Sequence, residues 1–251
     1  MPDLTGTVTL VTGASGTIGR GIALRFAAAG SAVAVHCHHS PDAAAALAGR
    51  IEAAGGAARV LAADLTDERA CHELVEAAAA WRGRLDALVN NAGIQPVEPL
   101  ADMPASTWRA MLDANVTSAF SCTQAAARLM PEAGGSITHI ASIEAGRPAP
   151  GHAHYAAAKA ALVVHARAAA LEYGPAGIRV NSVSPGLVDR PGLATEWPDG
   201  VSRWHRSAPL RRLGTPEDVG NACVFLASPM AAWITGHDLT VDGGVSARPS
   251  W

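Results

Sequence analysis

Long apolar runs are missing from this sequence. No uninterrupted stretch reaches the ~18 to 20 residues that a membrane span needs. No apolar segment follows a basic one near the start, so no secretion signal is expected. Charge is scarce too. Charged residues make up 16% of the chain and the net charge is −3, which argues against the basic face of a nucleic-acid binder. The four cysteines, Cys37, Cys71, Cys122 and Cys223, are scattered and form no CxxC pair. They read as reduced thiols in a cytoplasmic protein. What is abundant is apolar: hydrophobic residues reach 49% of 251, enough to bury a substantial core.

Short apolar runs alternate with longer helical patterns. TVTLV (residues 7–11) reads as a strand, followed by TGASGTIG and the amphipathic helix IGRGIALRFAAAG. SAVAVHCH is a second strand, and PDAAAALAGRIEAAGG a helix with proline in its first turn and glycine at its end. ARVLAAD, LDALVN, GSITHIAS, IRVNSVSPG and HDLTVDGG supply further strands. Between them lie TDERACHELVEAAAAW, a long helix over about 106–130, HYAAAKAALVVHARAAALEYG and TPEDVGNACVFLAS. This alternation predicts an α/β, doubly wound Rossmann fold: one parallel sheet of about seven strands with helices on both faces. Nothing reads as a linker, so residues 1–251 are expected to form a single dinucleotide-binding and catalytic domain. Ligands in such folds bind beyond the carboxyl ends of the strands.

TGASGTIG lies at the first such end. Gly13, Gly16 and Gly19 let the backbone turn tightly and approach a ligand closely. The following helix N-terminus offers N–H groups and a positive dipole end to a pyrophosphate. The spacing is GxxGxxG, not the GxGxxG dinucleotide fingerprint. Further along stand NNAG (Asn90–Gly93), Asn115, Ser142, YAAAK (Tyr155–Lys159) and SPG (Ser184–Gly186).

In this ordered set the chain resembles the short-chain dehydrogenase/reductase family, over essentially its whole length, and its 3-oxoacyl reductase and glucose dehydrogenase-like members in particular. The resemblance implies an oxidoreductase transferring a hydride between NADP(H) or NAD(H) and a carbonyl or secondary-alcohol substrate. It implies cofactor contacts at Gly13, Ser15, Thr17, Ile18 and Gly19, and at Asp64 and Leu65 beside the adenine. It adds Asn91, Ala92 and Gly93, then Pro185, Gly186 and Val188. Asn91 also resembles a structural asparagine tying neighbouring strands. Two departures stand out. The middle glycine of the turn is shifted by one, with Gly16 before Thr17, and Arg190 takes the place where the family often has threonine.

Carbonyl reduction needs a proton donor for the developing alkoxide. Tyrosine, with a pKa near ~10, exchanges protons slowly at neutral pH unless a nearby cation lowers it. Lys159 lies four residues after Tyr155, on the same helix face. It is expected to lower the Tyr155 pKa and hydrogen-bond the nicotinamide ribose. Ser142 would hydrogen-bond the substrate oxygen. By resemblance, Asn115 holds a water near Lys159. Tyr155 is then the general acid in reduction and the base in oxidation.

HCHH closes the second strand, beside the expected adenosine ribose. His36 and Cys37 stand where NAD-preferring members carry an acid, and none follows until Asp42. His36, His38, His39 and Ser40 are expected to line this ribose, and donors at His38, His39 and Ser40 suit a 2′-phosphate. NADP(H) is therefore expected over NAD(H). Its affinity should fall as pH rises through the histidine range. A metal site is not expected, because strand alternation would put His36 and His38 on one face and Cys37 and His39 on the other.

The segment 187–212 has the place of a substrate lid, with Trp197 and Trp204 as candidate pocket walls. Glu144 is expected to pair with Arg147, or alternatively with a substrate amine or hydroxyls, and His152 to reach the pocket. The resemblance implies a homotetramer, or a dimer, and Trp251 is expected to pack on a neighbouring subunit or near its active site. Two readings stay open beside the reductase: a non-catalytic dinucleotide sensor, and the same fold used for epimerisation or imine reduction.

Overall fold

The computed structural model describes residues 2–130 and 133–247, so Trp251 lies outside the described residues. Seven strands are present: β1 (Val8–Val11), β2 (Ala32–Cys37), β3 (Ala58–Ala62), β4 (Ala87–Asn90), β5 (Gly135–Ile140), β6 (Ile178–Pro185) and β7 (Asp238–Val241). They form one sheet in the order β3-β2-β1-β4-β5-β6-β7, every pair parallel. The order reverses between β1 and β4, which opens the crevice expected to take a ligand.

Helices cover both faces. On one lie α1 (Thr17–Ala28), α2 (Pro41–Ala53) and α9 (Pro216–Ala227), around a core of Ile22, Phe26, Leu47, Ile51 and Val224. On the other lie α3 (Glu68–Arg82), α5 (Ser118–Leu129) and α6 (Ala153–Tyr173), packed through Leu74, Val75, Cys122, Ala126 and Ala166. β1 shows why both faces are filled: Leu10 points into the second core and Val11 into the first. Alanine and glycine make these contacts close. A methyl at Gly21 would lie 2.3 Å from Pro216 Cβ, so α1 and α9 approach almost backbone to backbone.

The long helix expected over 106–130 is broken in phase. It consists of α4 (Ala105–Leu112), a π-helical turn at Asp113–Thr117, and α5. Such turns insert one extra residue and concentrate at functional sites. Between β6 and α9 lie two short helices, α7 (Leu193–Glu196) and α8 (Pro198–Ser207). No helix is long and apolar enough to cross a membrane among the described residues.

Candidate active site

β1 runs into a turn held by three strands. Gly13 has φ +61, and its N–H donates to His36 Nδ1 at 2.9 Å. His36 Nε2 lies 3.1 Å from the Ala63 carbonyl. With Nδ1 accepting, Nε2 carries the proton, so the ring is neutral. Burial, the largest influence, pushes its pKa below the ordinary histidine value. His36 is only 2% exposed. The expectation that its ring lines the ribose is corrected: it clasps the glycine turn to the ends of β2 and β3.

The strand also stops earlier than the alternation argument assumed. β2 ends at Cys37, and the rings of His38 and His39 lie together, 3.4 Å between centroids. They do not occupy opposite faces. His38, His39 and Ser40 are exposed, and His38 Nε2 is 3.7 Å from Asp64. Asp64 is not the cap of α3. It accepts from the Thr66 amide and hydroxyl at 3.0 and 2.7 Å, while Asp67 caps the helix through the Arg69 amide. Leu65 is buried beside it.

The first turn of α1 suits an anion. Its N-cap is Gly16, with no side-chain cap and no acidic residue in the first turn. Ser15, Thr17 and Ile18 are half-buried around it. A Cβ at Gly19 would sit 2.3 Å from the Gly13 carbonyl and 2.8 Å from Ala14 Cα. The cradle therefore exists only because glycine is there. Opposite lies the start of the segment after β6, where Asp189–Thr195 and the first turn of α1 line one groove. Arg190 turns to Glu196 at 2.5 Å. Val188 bridges to Gly214, and Gly186 backs onto Trp204 and Asp242.

Across the crevice, Asn91 Nδ2 donates to the Thr12 and Gly13 carbonyls at 2.8 and 3.1 Å, tying β4 to β1. The Thr12 hydroxyl accepts from the Asn91 and Ala92 amides. Gly93 faces Asn115: a methyl there would lie 2.3 Å from Asn115 Oδ1 and 3.6 Å from Lys159 Nζ.

The four candidate catalytic residues come from three elements. Ser142 follows β5, Tyr155 and Lys159 stand one turn apart on α6, and Asn115 sits in the π-helical turn. The Ser142 hydroxyl is near enough to Tyr155 to pull the phenol pKa down, and it accepts from the Glu144 amide at 3.1 Å. Lys159, the only lysine in the sequence, is buried. Its Nζ donates to the Ile140 carbonyl at 2.9 Å and lies 5.4 Å from the Tyr155 ring centroid. Asn115 Nδ2 donates to the Ile94 and Met111 carbonyls, both at 3.1 Å. Its Oδ1 is buried with no partner among the described residues.

The electrostatics differ from expectation at Tyr155. Burial pushes its pKa up to about 12, the Ser142 hydrogen bond opposing and the Glu144 charge adding to the rise. Burial pushes Lys159 down to about 8. Lysine charge therefore does not lower the phenol here. Desolvation outweighs it on both groups.

Nearer solvent, Glu144 is not paired with Arg147. Its Oε2 accepts from His152 Nδ1 at 2.8 Å and its Oε1 from Gln95 Nε2 at 3.2 Å, while Arg147 reaches the Ser246 carbonyl. Gln95 was missed by sequence reasoning. Its signal was its place, two residues past NNAG at a strand's carboxyl end. Trp204 is packed against Gly186, with its indole N–H buried and unpartnered among the described residues. Trp197 is 47% exposed beneath the Arg203 guanidinium.

The glycine cradle, the uncapped helix end and the orphaned Asn115 oxygen together fit a nicotinamide dinucleotide. Known proteins agree. A family model described as Enoyl-(Acyl carrier protein) reductase matches residues 13–246. A 3-oxoacyl-[acyl-carrier-protein] reductase of Synechocystis sp. is 38% identical over 249 residues, covering 98% of this chain and 99% of that one. Among solved structures, a 7α-hydroxysteroid dehydrogenase complexed with NADH and 7-oxo glycochenodeoxycholic acid superposes with TM-score 0.91 at 37% identity, covering 96% and 95% of the two chains. A blue fluorescent protein from a metagenomic library, in complex with NADPH, gives 0.90 at 34% identity, covering 97% and 99%. The chain belongs to the short-chain dehydrogenase/reductase family of oxidoreductases, which act on carbonyl and alcohol groups with a nicotinamide dinucleotide.

Proposed function

We propose that this enzyme reduces a ketone, or oxidises the matching secondary alcohol, with Tyr155 as general acid and base. The observation that carries this reading is Tyr155 set one helical turn before the sole, buried lysine, whose Nζ lies 5.4 Å from the Tyr155 ring centroid. A bound nicotinamide dinucleotide supplies or accepts the hydride. Gly13, Ser15, Thr17, Ile18 and Gly19 would hold its pyrophosphate, Asp64 and Leu65 its adenine end. Asn91, Ala92 and Gly93, and then Pro185, Gly186 and Val188, would flank the nicotinamide half.

Ser142 and Tyr155 both hydrogen-bond the substrate oxygen. With a pKa near 12, the phenol is protonated at neutral pH and ready to donate as negative charge develops. Oxidation requires the reverse, so tyrosinate must form against the cost of burial. Asn115 Oδ1, lacking a protein donor among the described residues, is suited to accept from a water that reprotonates the relay. Initial rates on a broad ketone panel test this. Tyr155→Phe should lose about 10²- to 10⁴-fold in kcat, and a variant retaining the wild-type rate would overturn the assignment.

We infer that NADP(H) is preferred over NAD(H). No carboxylate follows β2 until Asp42, and His38, His39 and Ser40 are exposed there. The segment 187–212, with α7 and α8, acts as the substrate lid. Paired titrations with NADPH and NADH, followed by nicotinamide fluorescence, decide the cofactor. Tighter NADPH binding by about tenfold, ~1.4 kcal/mol, and lost on replacing His38 and His39 by alanine, supports the preference. Equal or tighter NADH binding refutes it and leaves the Tyr155 reading intact.

The enzyme is also read as a cytoplasmic homo-oligomer, a tetramer or a dimer. The four cysteines are free thiols, in keeping with a reducing compartment. Phe120 on α5 and Val164 and Leu171 on α6 expose 44%, 60% and 81% of their surface, apolar surface that a second subunit would cover. Light scattering giving a monomer would overturn the oligomer.

A further inference from the structure

Beside the proposed reacting position stands a polar cluster that hydride and proton transfer do not use. It draws on three separate elements. Gln95 comes from the loop after β4. Glu144 comes from the 3₁₀ turn Ile143–Ala145 after β5, and His152 is the N-cap residue of α6. Gln95 Nε2 and His152 Nδ1 both donate to the Glu144 carboxylate, at 3.2 and 2.8 Å. The Glu144 and His152 side chains are each 17% exposed, open enough to meet a ligand yet poorly screened by water.

The cluster is tied to the reacting atoms. The Glu144 amide donates to Ser142 Oγ at 3.1 Å. The His152 ring meets the Tyr155 ring edge-on, 6.0 Å between centroids. The Glu144 charge acts directly on the Tyr155 phenol. An ionised carboxylate has about four lone-pair sites, and Gln95 and His152 occupy two. With Nδ1 donating, His152 retains Nε2 as a further polar atom. The nearest arginine in sequence, Arg147, is committed to Ser246, and Lys159 is committed to Ile140.

We propose that Gln95, Glu144 and His152 form a specificity subsite that takes a hydroxyl or ammonium substituent next to the reacting carbonyl and rejects a carboxylate there. This rests on the carbonyl-reductase reading and extends it to the substrate's second functional group. A hydroxyl or ammonium donates to the spare lone pairs of Glu144. A carboxylate would face like charge in a poorly solvated corner, with two acceptors opposed.

Matched phenyl ketones test it at neutral pH: acetophenone, α-hydroxyacetophenone, α-aminoacetophenone and phenylglyoxylate, with either reduced nicotinamide. Intrinsic carbonyl reactivity differs among them, so the readout is the kcat/KM ratio of the amino ketone to phenylglyoxylate in wild type against Glu144→Gln. That ratio is expected to fall about tenfold or more in the variant. An unchanged ratio in a folded, cofactor-binding variant would overturn the subsite. As a check needing no variant, benzylamine should compete with acetophenone about tenfold more tightly than benzoate in wild type, and the opposite order would also overturn it. If none of the four ketones is turned over, the reductase reading fails. Benzylamine and benzoate melting shifts, wild type against Glu144→Gln, then still test the subsite.

Discussion

Lys159 Nζ donates to the carbonyl of Ile140 at 2.9 Å. That bond joins the middle of the site to the last residue of β5, and it holds the amine inside the protein, one turn from Tyr155. The cation is anchored by the sheet and not by the phenol it serves.

Burial pushes the Lys159 pKa to about 8. Between about 8 and 10.5 the unfolded chain therefore binds the extra proton, and this group makes folding more favourable as pH rises through that window. Because the sequence has one lysine, lysine-specific ¹³C labelling gives a single side-chain resonance. Its midpoint is expected near 8. A midpoint near the ordinary 10.5 would show that the amine is solvated.

Tyr155 shifts the other way, to about 12. Its contribution to folding is present below pH 10 and is lost as pH rises from 10 towards 12. The sequence holds two tyrosines, so ultraviolet titration of wild type against Tyr155→Phe isolates this one. A Tyr155 midpoint at or below 10 would revive the lysine-lowered phenol.

Gly19→Ala places a methyl 2.3 Å from the Gly13 carbonyl and 2.6 Å from Asn91 Nδ2. The Gly13–Ala14 backbone and the Asn91 side-chain amide must both shift. We expect a stability loss of about 1–3 kcal/mol together with weaker dinucleotide binding. Thermal melting and fluorescence titration measure the two. Wild-type values for both would mean the cradle is looser than its geometry.

His36→Leu removes the partner of the Gly13 amide and of the Ala63 carbonyl. Leaving such buried groups unmet costs about 1–3 kcal/mol, measurable as a lowered denaturation midpoint. No loss would mean that the ring only fills space.

His139, fully buried on β5, lies 3.1 Å from Asn90 Nδ2 and 3.0 Å from His165 Nδ1. Burial first, then the charges of His165 and Lys159, push it to about 3. The unfolded chain takes up this proton from about pH 6.5 downward, so stability should fall between 6.5 and 3, by up to about 4 kcal/mol. Denaturant titrations from pH 7 to 4.5 test it. A His139→Gln variant should lose less over that range, and an identical slope would clear the histidine.

Much of the architecture was legible in the sequence because strand and helix periods differ so sharply. TVTLV, the capped helices and YAAAK each announced their element. The glycines declared where backbone must come close, and the Tyr155–Lys159 spacing declared a shared helix face. Other features depended on tertiary contacts. Nothing local to HCHH says that one ring is needed by Gly13, 23 residues away in sequence. Nothing local to Glu144 says that Gln95 and His152 will reach it before Arg147. The Tyr155 pKa depends on depth of burial, and spacing alone does not carry depth.

The widened turn at Asp113–Thr117 fixes a residue count. One inserted residue rotates the helix beyond it by about 100°, and α5 turns Cys122, Ala125 and Ala126 into the core at that phase. Deleting any one residue of 113–117 would straighten the helix and swing those three side chains out of register with α3. Keeping their register would instead move Asn115 away from Gly93 and Ile94. One segment sets both the posture of a site residue and the alignment of half the core, so a one-residue gap there would disturb both at once.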